Sequence, residues 1–389
     1  MSHIIRFSVT GLAGHATPYS HELHRDLNIF FGLNGTGKTS LLKILHSALS
    51  QKAASLASVP FQHAEVTIFS LKYEQEFTSV IEKKRPPKLP SVARKKRAEH
   101  PELIAPDLLV DPEEPLKWVY TTPLPANFEV VGPWQSTYLP TWRLQPQEQE
   151  FHRYALDPRR HPVDYDWDEF FARSLQQLWS AYSTRILSAL QSIQSEGLVS
   201  ILKSIMKSER PAAKRGKFDA DVAFNRVRAF LSRQGAVGIL ESQEHFEQRY
   251  NENDQLRHIV DNINSIEQRV EDTKSARNSL ERLITDMFIG TKKVVFEDTN
   301  IRVMGDDGNP IQLASLSSGE KQAMLIFIDT LLAAESALLI DEPEISLHVD
   351  WQRRLISNMK LLNPNAQIIV ATHSPEIMAD IPDEKIFRL

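Results

Sequence analysis

The 389-residue chain contains no cysteine. That absence removes disulfides, thiolate metal ligands and cysteine nucleophiles together, and leaves no sign of an oxidising compartment. Long apolar runs are missing as well. No apolar stretch follows Met1-Ser2-His3-Ile4-Ile5-Arg6, and the richest run, Ala323 to Ala334, is broken by Asp329 and Thr330. Neither a signal peptide nor a membrane span is expected, so a cytoplasmic protein without a membrane partner is the default. Aromatic residues make up only 8% of the chain, but 41% hydrophobic and 24% charged residues fall within the globular range. A chain of this length forms one large domain or two lobes, with a sizeable core.

The net charge of −5 conceals a basic segment, since Lys83 to Arg97 holds eight Lys or Arg and no acid. Twelve of the 22 prolines lie between Pro86 and Pro146, a density that suits loops and short edge strands better than long helices. Before this region the pattern is strand, strand, helix, strand: Ile4–Val9, Leu27–Phe31, a helix from about Thr39 to Ser50, and Ala64–Ser70. From Trp167 to about Phe288 apolar residues recur every three or four positions. Leu256, Ile259, Ile263, Ile266, Val270, Leu280, Ile284 and Met287 follow a heptad broken by Thr273 and Arg277. This predicts a helical hairpin or short coiled coil, with an ordinary helical subdomain as the alternative. Strands return after it, with a turn at Gly305–Pro310 between Ile301–Met304 and Ile311–Leu313.

Four segments carry chemistry. Gly32-Leu33-Asn34-Gly35-Thr36-Gly37-Lys38-Thr39 matches a phosphate loop and stands between an apolar strand and an apolar helix, as such a loop must. Its glycines let backbone N–H groups converge on phosphate oxygens at the positive end of the helix. Lys38 adds a point charge for the β- and γ-phosphates, and Thr39 offers a hydroxyl to Mg²⁺. The second segment, Ser336-Ala337-Leu338-Leu339-Ile340-Asp341-Glu342-Pro343, is an apolar strand ending in two acids. Behind a phosphate loop it reads as a Walker B strand, with Asp341 serving the Mg²⁺ water shell and Glu342 polarising the attacking water. Third, Leu316-Ser317-Ser318-Gly319-Glu320 opens a helix; by itself it is a serine cap with an acid in the first turn. Fourth, the apolar strand Ile368–Thr372 ends at His373, which could hydrogen-bond a γ-phosphate.

In this order the four segments resemble the ABC-type ATPase fold, an α/β P-loop architecture, here with an inserted helical subdomain. The resemblance implies Walker A at Gly32–Thr39, a signature at Leu316–Glu320, Walker B at Leu338–Glu342, a D-loop around Ser346-Leu347-His348, and a switch histidine at His373. It implies ATP and Mg²⁺ as cofactors, held by Asn34, Gly35, Thr36, Gly37, Lys38, Thr39 and Ser40, with Thr39 and Asp341 at the metal and Glu342 and His373 catalytic. Ser317 and Gly319 of one subunit would complete the ATP site of another in a head-to-tail homodimer. Ser318 and Glu320 stand where transporters favour Gly and Gln, and a Q-loop glutamine is represented only by Gln145 or Gln147. His15 is a candidate adenine contact.

Lys38 and Asp341 are 303 positions apart, more than a transporter subunit needs, which points to the SMC and RecF branch. Asp26–Gly35, Tyr138-Leu139-Pro140-Thr141-Trp142-Arg143 and Glu342–His348 resemble the stand-alone ATPases of bacterial anti-phage systems: AriA of PARIS, PtuA of Septu and the ATPase half of OLD nucleases. The corresponding division is 1–80 for the Walker A part of the ATPase, 81–128 for a proline-rich insertion, 129–150 for a return to the ATPase, 151–290 for a helical insertion, and 291–389 for the C-terminal part of the ATPase. Only 16 residues follow His373, too few for a Toprim domain, so a nuclease would be a separate protein. The function implied is an ATP-hydrolysing sensor or scaffold that controls a separately encoded nuclease, most simply of Toprim type, until a phage trigger protein is detected. The basic run Lys83–Arg97 is then a solvated loop, or a grip for nucleic acid or an acidic phage protein. The alternative is a RecF-like or SMC-like DNA-binding ATPase of repair or maintenance.

Overall fold

The computed structural model describes residues 2–15, 17–83, 116–128, 134, 136–141, 167–206, 220–233, 235, 238, 240, 242–288, 292–333 and 336–389. The basic run beyond Lys83, Trp142, Arg143, Gln145 and Gln147 lie outside them. The chain divides into two compact units, one of residues 1–175 with 311–389 and the other of residues 176–310.

In chain order the strands and helices are β1 (Ser2–Thr10), β2 (Tyr19–Glu22), β3 (Leu27–Phe31), α1 (Lys38–Ser50), β4 (His63–Ser70), β5 (Gln75–Glu82), β6 (Val119–Tyr120), β7 (Ser136–Leu139) and α2 (Trp167–Met206). There follow α3 (Ala220–Arg233), α4 (Gln243–Glu252), α5 (Asp254–Met287), β8 (Lys292–Phe296), β9 (Ile301–Gly305) and β10 (Pro310–Ile311). The chain closes with α6 (Ser318–Leu332), β11 (Ala337–Asp341), α7 (Val349–Leu362), β12 (Gln367–Thr372), α8 (Pro375–Met378) and β13 (Ile386–Arg388).

The first unit is layered around α1. On one side lies an antiparallel sheet of order β2-β1-β4-β5-β6, and on the other a parallel sheet of order β13-β3-β12-β11-β7. Leu41, Leu42, Ile44, Leu45 and Leu49 of α1 share one core with Phe7, Val66 and Ile68 of the first sheet and with Leu339 and Ile369 of the second. A helix whose leucines and isoleucine are buried on more than one side requires two apolar faces to cover it, and the two sheets supply them. β11 and β12 are buried at every position, as strands of a parallel sheet covered on both faces must be. Within the segment read as a proline-rich insertion, Val119 and Tyr120 pair with Val80 and Ser79, so its described end returns to the antiparallel sheet as an edge strand.

Register sets where the sheet ends. Phe31 is level with Thr372, Ala371 with Asp341, and Ile340 with Leu139, so β3, β12, β11 and β7 all finish along one edge. Behind this edge the buried ammonium of Lys321, in the first turn of α6, pairs with Asp168 and lies 5.7 Å from the Phe171 ring centroid.

The second unit is a helical subdomain with the β8–β9 hairpin, so the unit boundary takes in strands that sequence reading assigns to the C-terminal part of the ATPase. Phe224, Val227, Phe246, Tyr250, Val260 and Ile263 make a separate core joining α3, α4 and α5. The N-terminal part of the α5 seam therefore meets two short helices, while Ile266 lies against Gly197 of α2. At Arg277, where the heptad expects an apolar residue, the guanidinium lies 5.4 Å from the Trp179 ring centroid and donates to the Phe296 carbonyl at 2.7 Å. A flat, delocalised cation on an aromatic face can occupy such a position without a buried unpaired charge. The α/β architecture expected from the sequence, a parallel sheet with a glycine-rich loop between strand and helix and a separate, largely helical unit, is the one observed.

Candidate functional site

The glycine-rich loop leaves β3 at the shared strand edge. Gly35 and Gly37 hold φ of 89° and 104°, values in which a Cβ is disfavoured. A Cβ on Gly32 would lie 2.8 Å from Thr36 Oγ1 and 2.9 Å from the Leu389 carbonyl, so the loop can close this tightly only with glycine there. A Cβ on Gly35 would meet nothing within 4 Å, which leaves the cradle of backbone around it open. Asn34 and Gly35 are exposed, while Thr36, Gly37, Thr39 and Ser40 are half-buried. Lys38 is 5% exposed, and its ammonium donates to the carbonyls of Gly32 at 2.8 Å and Leu33 at 3.0 Å, arching over the loop. An open glycine cradle, a helix N-terminus and a cation held beside them fit a nucleotide phosphate.

The end of β11 meets this loop through side chains. Thr39 Oγ1 donates to Asp341 Oδ2 at 2.8 Å, and Thr141 Oγ1 donates to the same oxygen at 2.9 Å. Asp341 is 1% exposed. A hydroxyl and a carboxylate side by side are hard donors that suit Mg²⁺, which takes few protein ligands beside phosphate oxygens. Among the described residues no group of three or more His, Asp or Glu could hold a metal alone, so a divalent ion here would depend on the nucleotide's own oxygens.

Glu342 follows with φ 48°, a left-handed conformation costing a non-glycine residue about 1 kcal/mol. Its N–H donates to the Ala371 carbonyl at 2.8 Å, which holds the turn in place. The bend takes the side chain out of the strand's alternation and leaves it half-buried, 3.6 Å from Nδ1 of the exposed His373. His373 in turn lies 3.1 Å from Oε1 of Glu344. This brings Lys38, Thr39, Asp341, Glu342 and His373 to the ends of three adjacent strands, where open α/β sheets hold ligands.

Ser317 and Gly319 are placed differently. Ser317 caps α6, accepting from the Glu320 N–H, while the Glu320 carboxylate accepts from the Ser317 N–H at 2.7 Å. Gly319 packs against the turn after Glu342, where an added Cβ would come within 2.5 Å of the Ser346 carbonyl. Within this chain neither residue hydrogen-bonds the glycine-rich loop among the described residues. His15 follows a short 3-10 turn at Leu12–Gly14, and the Ala13 and Leu12 side chains would lie 3.1 Å from a Cβ on Gly37.

Two residues that motif reading passed over belong to the site. Thr141 follows the short strand β7, and only the pairing of β7 beside β11 brings it to Asp341. Glu344 stands two residues beyond Glu342; the acid was visible in the sequence, but its partners at 372–374 were not. His46 of α1 supports the β7 side, stacking on Tyr138 at 5.4 Å and lying 3.1 Å from Ser136 Oγ. Burial, with a smaller contribution from Lys52, holds its pKa down to about 4.

Several known proteins are similar in sequence to parts of this chain. A retron Vc95 probable ATPase of Vibrio cholerae serotype O1 biovar El Tor is 29% identical over 93 residues, covering 21% of this chain and 18% of its own. A retron Ec83 probable ATPase of Escherichia coli is 34% identical over 98 residues, again covering 21% and 18%. The Septu protein PtuA of Bacillus mycoides (strain KBAB4) is 25% identical over 125 residues, covering 30% of this chain and 17% of its own. The chain thus spans less than a fifth of each of these relatives. Among solved structures, the Smc head domain of Pyrococcus furiosus, with an extended coiled coil and bound to the C-terminal domain of ScpA, matches 97% of this chain and 92% of its own at 12% identity and a TM-score of 0.45. Residues 146–379, more than half of the chain, match the family described as "AAA domain, putative AbiEii toxin, Type IV TA system", and the chain belongs to that family.

Proposed function

We propose that the chain binds and hydrolyses Mg-ATP, and that ATP drives its assembly as the sensor or scaffold subunit of a bacterial anti-phage complex acting through a separately encoded nuclease. The observation carrying the nucleotide reading is the junction of Thr39 and Thr141 on Asp341 Oδ2, beside a glycine cradle closed by Lys38. Asn34, Gly35, Thr36, Gly37, Lys38 and Ser40 would hold the phosphates, and Thr39 and Asp341 the Mg²⁺. When bound, Mg²⁺ supplies charge neutralisation at the phosphate oxygens. Glu342, bent out of the strand, would accept a proton from the attacking water, and His373 would stand at the γ-phosphate as a hydrogen-bonding partner of the reacting groups.

The defence reading rests on the likeness to ATPases of retrons and to PtuA of Septu, together with the AriA-like motif segments. Ser317, exposed at the N-terminus of α6, would contribute to the ATP site of a second copy, with Gly319 allowing the close approach. The partner would be a nuclease, of Toprim type in the AriA-like case, and a phage protein or nucleic acid would be the trigger. Two measurements test this reading. Purified protein should hydrolyse ATP only with a divalent ion, and light scattering should show a larger species with ATP than with ADP or no nucleotide. Protein that binds no ATP overturns the nucleotide reading; one size under all three conditions overturns ATP-driven assembly.

A further inference from the structure

Glu344 is 5% exposed, and a single oxygen, Oε1, gathers four groups from the segment that ends β12. It accepts from Thr372 Oγ1 at 2.6 Å, the His373 N–H at 2.9 Å and the Ser374 N–H at 3.2 Å, and lies 3.1 Å from His373 Nδ1. Its other oxygen, Oε2, is buried without a hydrogen-bond partner among the described residues. A buried carboxylate with one unsatisfied oxygen is a costly way to tie down a turn, which a neutral side chain would do with less desolvation. What the charge adds is an acceptor held against an imidazole. The same turn is fastened from its far side by Gln352, whose amide donates to the Leu347 carbonyl at 2.9 Å and whose Oε1 accepts from Ser374 Oγ at 2.8 Å.

We propose that Glu344 is the positioning residue of His373: it fixes the histidine backbone through Oε1, and by accepting from Nδ1–H it sets the tautomer and ring plane, leaving Nε2 as a hydrogen-bond acceptor turned to the site. Its role parallels that of a carboxylate orienting a functional histidine elsewhere. The inference deepens the proposed ATPase reading and rests on it for its kinetic consequence, but not for its structural one. Glu342, 3.6 Å from the same nitrogen, is the more distant acceptor.

The test compares wild type, Glu344→Gln, Glu344→Ala, His373→Ala and the Glu344→Ala/His373→Ala double variant. Nitrogen-15 spectra of the histidine side chains at pH 8, with the His373 signal identified by its loss in His373→Ala, read the tautomer directly. Wild type should show Nδ1–H, and Glu344→Gln should shift that population. An unchanged tautomer overturns the proposal, whether or not the protein hydrolyses ATP. Where wild type does hydrolyse ATP, Glu344→Gln should lower kcat roughly 10- to 100-fold, the span seen when a functional histidine loses its supporting partner, with KM little changed. The double variant should be no slower than His373→Ala. Losses that multiply would assign Glu344 a role independent of His373 and overturn the proposal. A wild type without ATPase activity would overturn the proposed function, while the tautomer would still decide the role of Glu344.

Discussion

The Thr39 hydroxyl donates to Asp341 Oδ2 across 2.8 Å, although the two residues lie 302 positions apart in the chain. The sheet closes that separation. β3 and β11 flank β12 on either side, and their ends are level because Phe31 pairs with Thr372 and Asp341 with Ala371. Thr39→Val keeps the volume and removes the hydroxyl, so the Mg²⁺ concentration for half-maximal ATPase activity should rise about 10-fold, the loss of one hydrogen bond to a charged group. An unaltered Mg²⁺ titration would place the ion elsewhere.

Lys38→Ala removes the cation arching over the loop and its hydrogen bonds to the Gly32 and Leu33 carbonyls, while the Leu33 carbonyl keeps the Thr36 hydroxyl as a donor at 3.0 Å. Nucleotide affinity should fall about 10- to 100-fold, as for a lost charge-assisted hydrogen bond, measured by fluorescent-nucleotide titration. Wild-type affinity would refute the phosphate loop.

Glu342→Gln should leave binding intact and slow hydrolysis about 10²- to 10⁴-fold, the contribution of a positioned general base. ATP-bound assemblies should then accumulate and be visible by light scattering. Loss of binding would identify Glu342 as a structural acid.

Gly319→Val forces a side chain towards the Ser346 carbonyl, which a Cβ would approach to 2.5 Å. The turn at Ser346, already at φ 65°, must shift at a cost of about 1–3 kcal/mol, seen as a lower denaturation midpoint. If close approach of a second copy depends on this turn, ATP-driven assembly should weaken more than nucleotide binding. An unchanged denaturation midpoint would mean that the turn adjusts freely.

His46 imposes a pH dependence of known sign. Its folded-state pKa of about 4 lies below the usual histidine value, so the unfolded chain binds the proton first. Its stabilising effect is complete above the unfolded pKa near 6.5 and is lost as pH falls towards 4, by roughly 3 kcal/mol in all. His46→Phe keeps a ring beside Tyr138 without a titrating nitrogen and should flatten the urea midpoint between pH 6.5 and 4. An equally steep profile in the variant would assign the acid sensitivity to other groups.

What the sequence determined by itself is whatever a short stretch of backbone and its own side chains can encode. The α/β class was legible because Leu27–Phe31 and Ala337–Asp341 are apolar runs of strand length, and because residues 39–50 carry a helical period beside glycines that only a tight loop needs. The turn at 305–310 was legible for the same reason, its Gly, Asp and Asn acting within a few bonds. Tertiary structure decided which of these pieces meet. No local pattern states that β7 pairs with β11, that Val119 and Tyr120 rejoin the antiparallel sheet, or that the start of the α5 seam is covered by α3 and α4. Nor does any motif say that Thr141 shares the Asp341 oxygen with Thr39, or that Glu344 holds His373. Those junctions depend on strand register between segments hundreds of residues apart, and register is set by burying whole faces of α1 and its two sheets at once, a property of the assembled core rather than of any one segment.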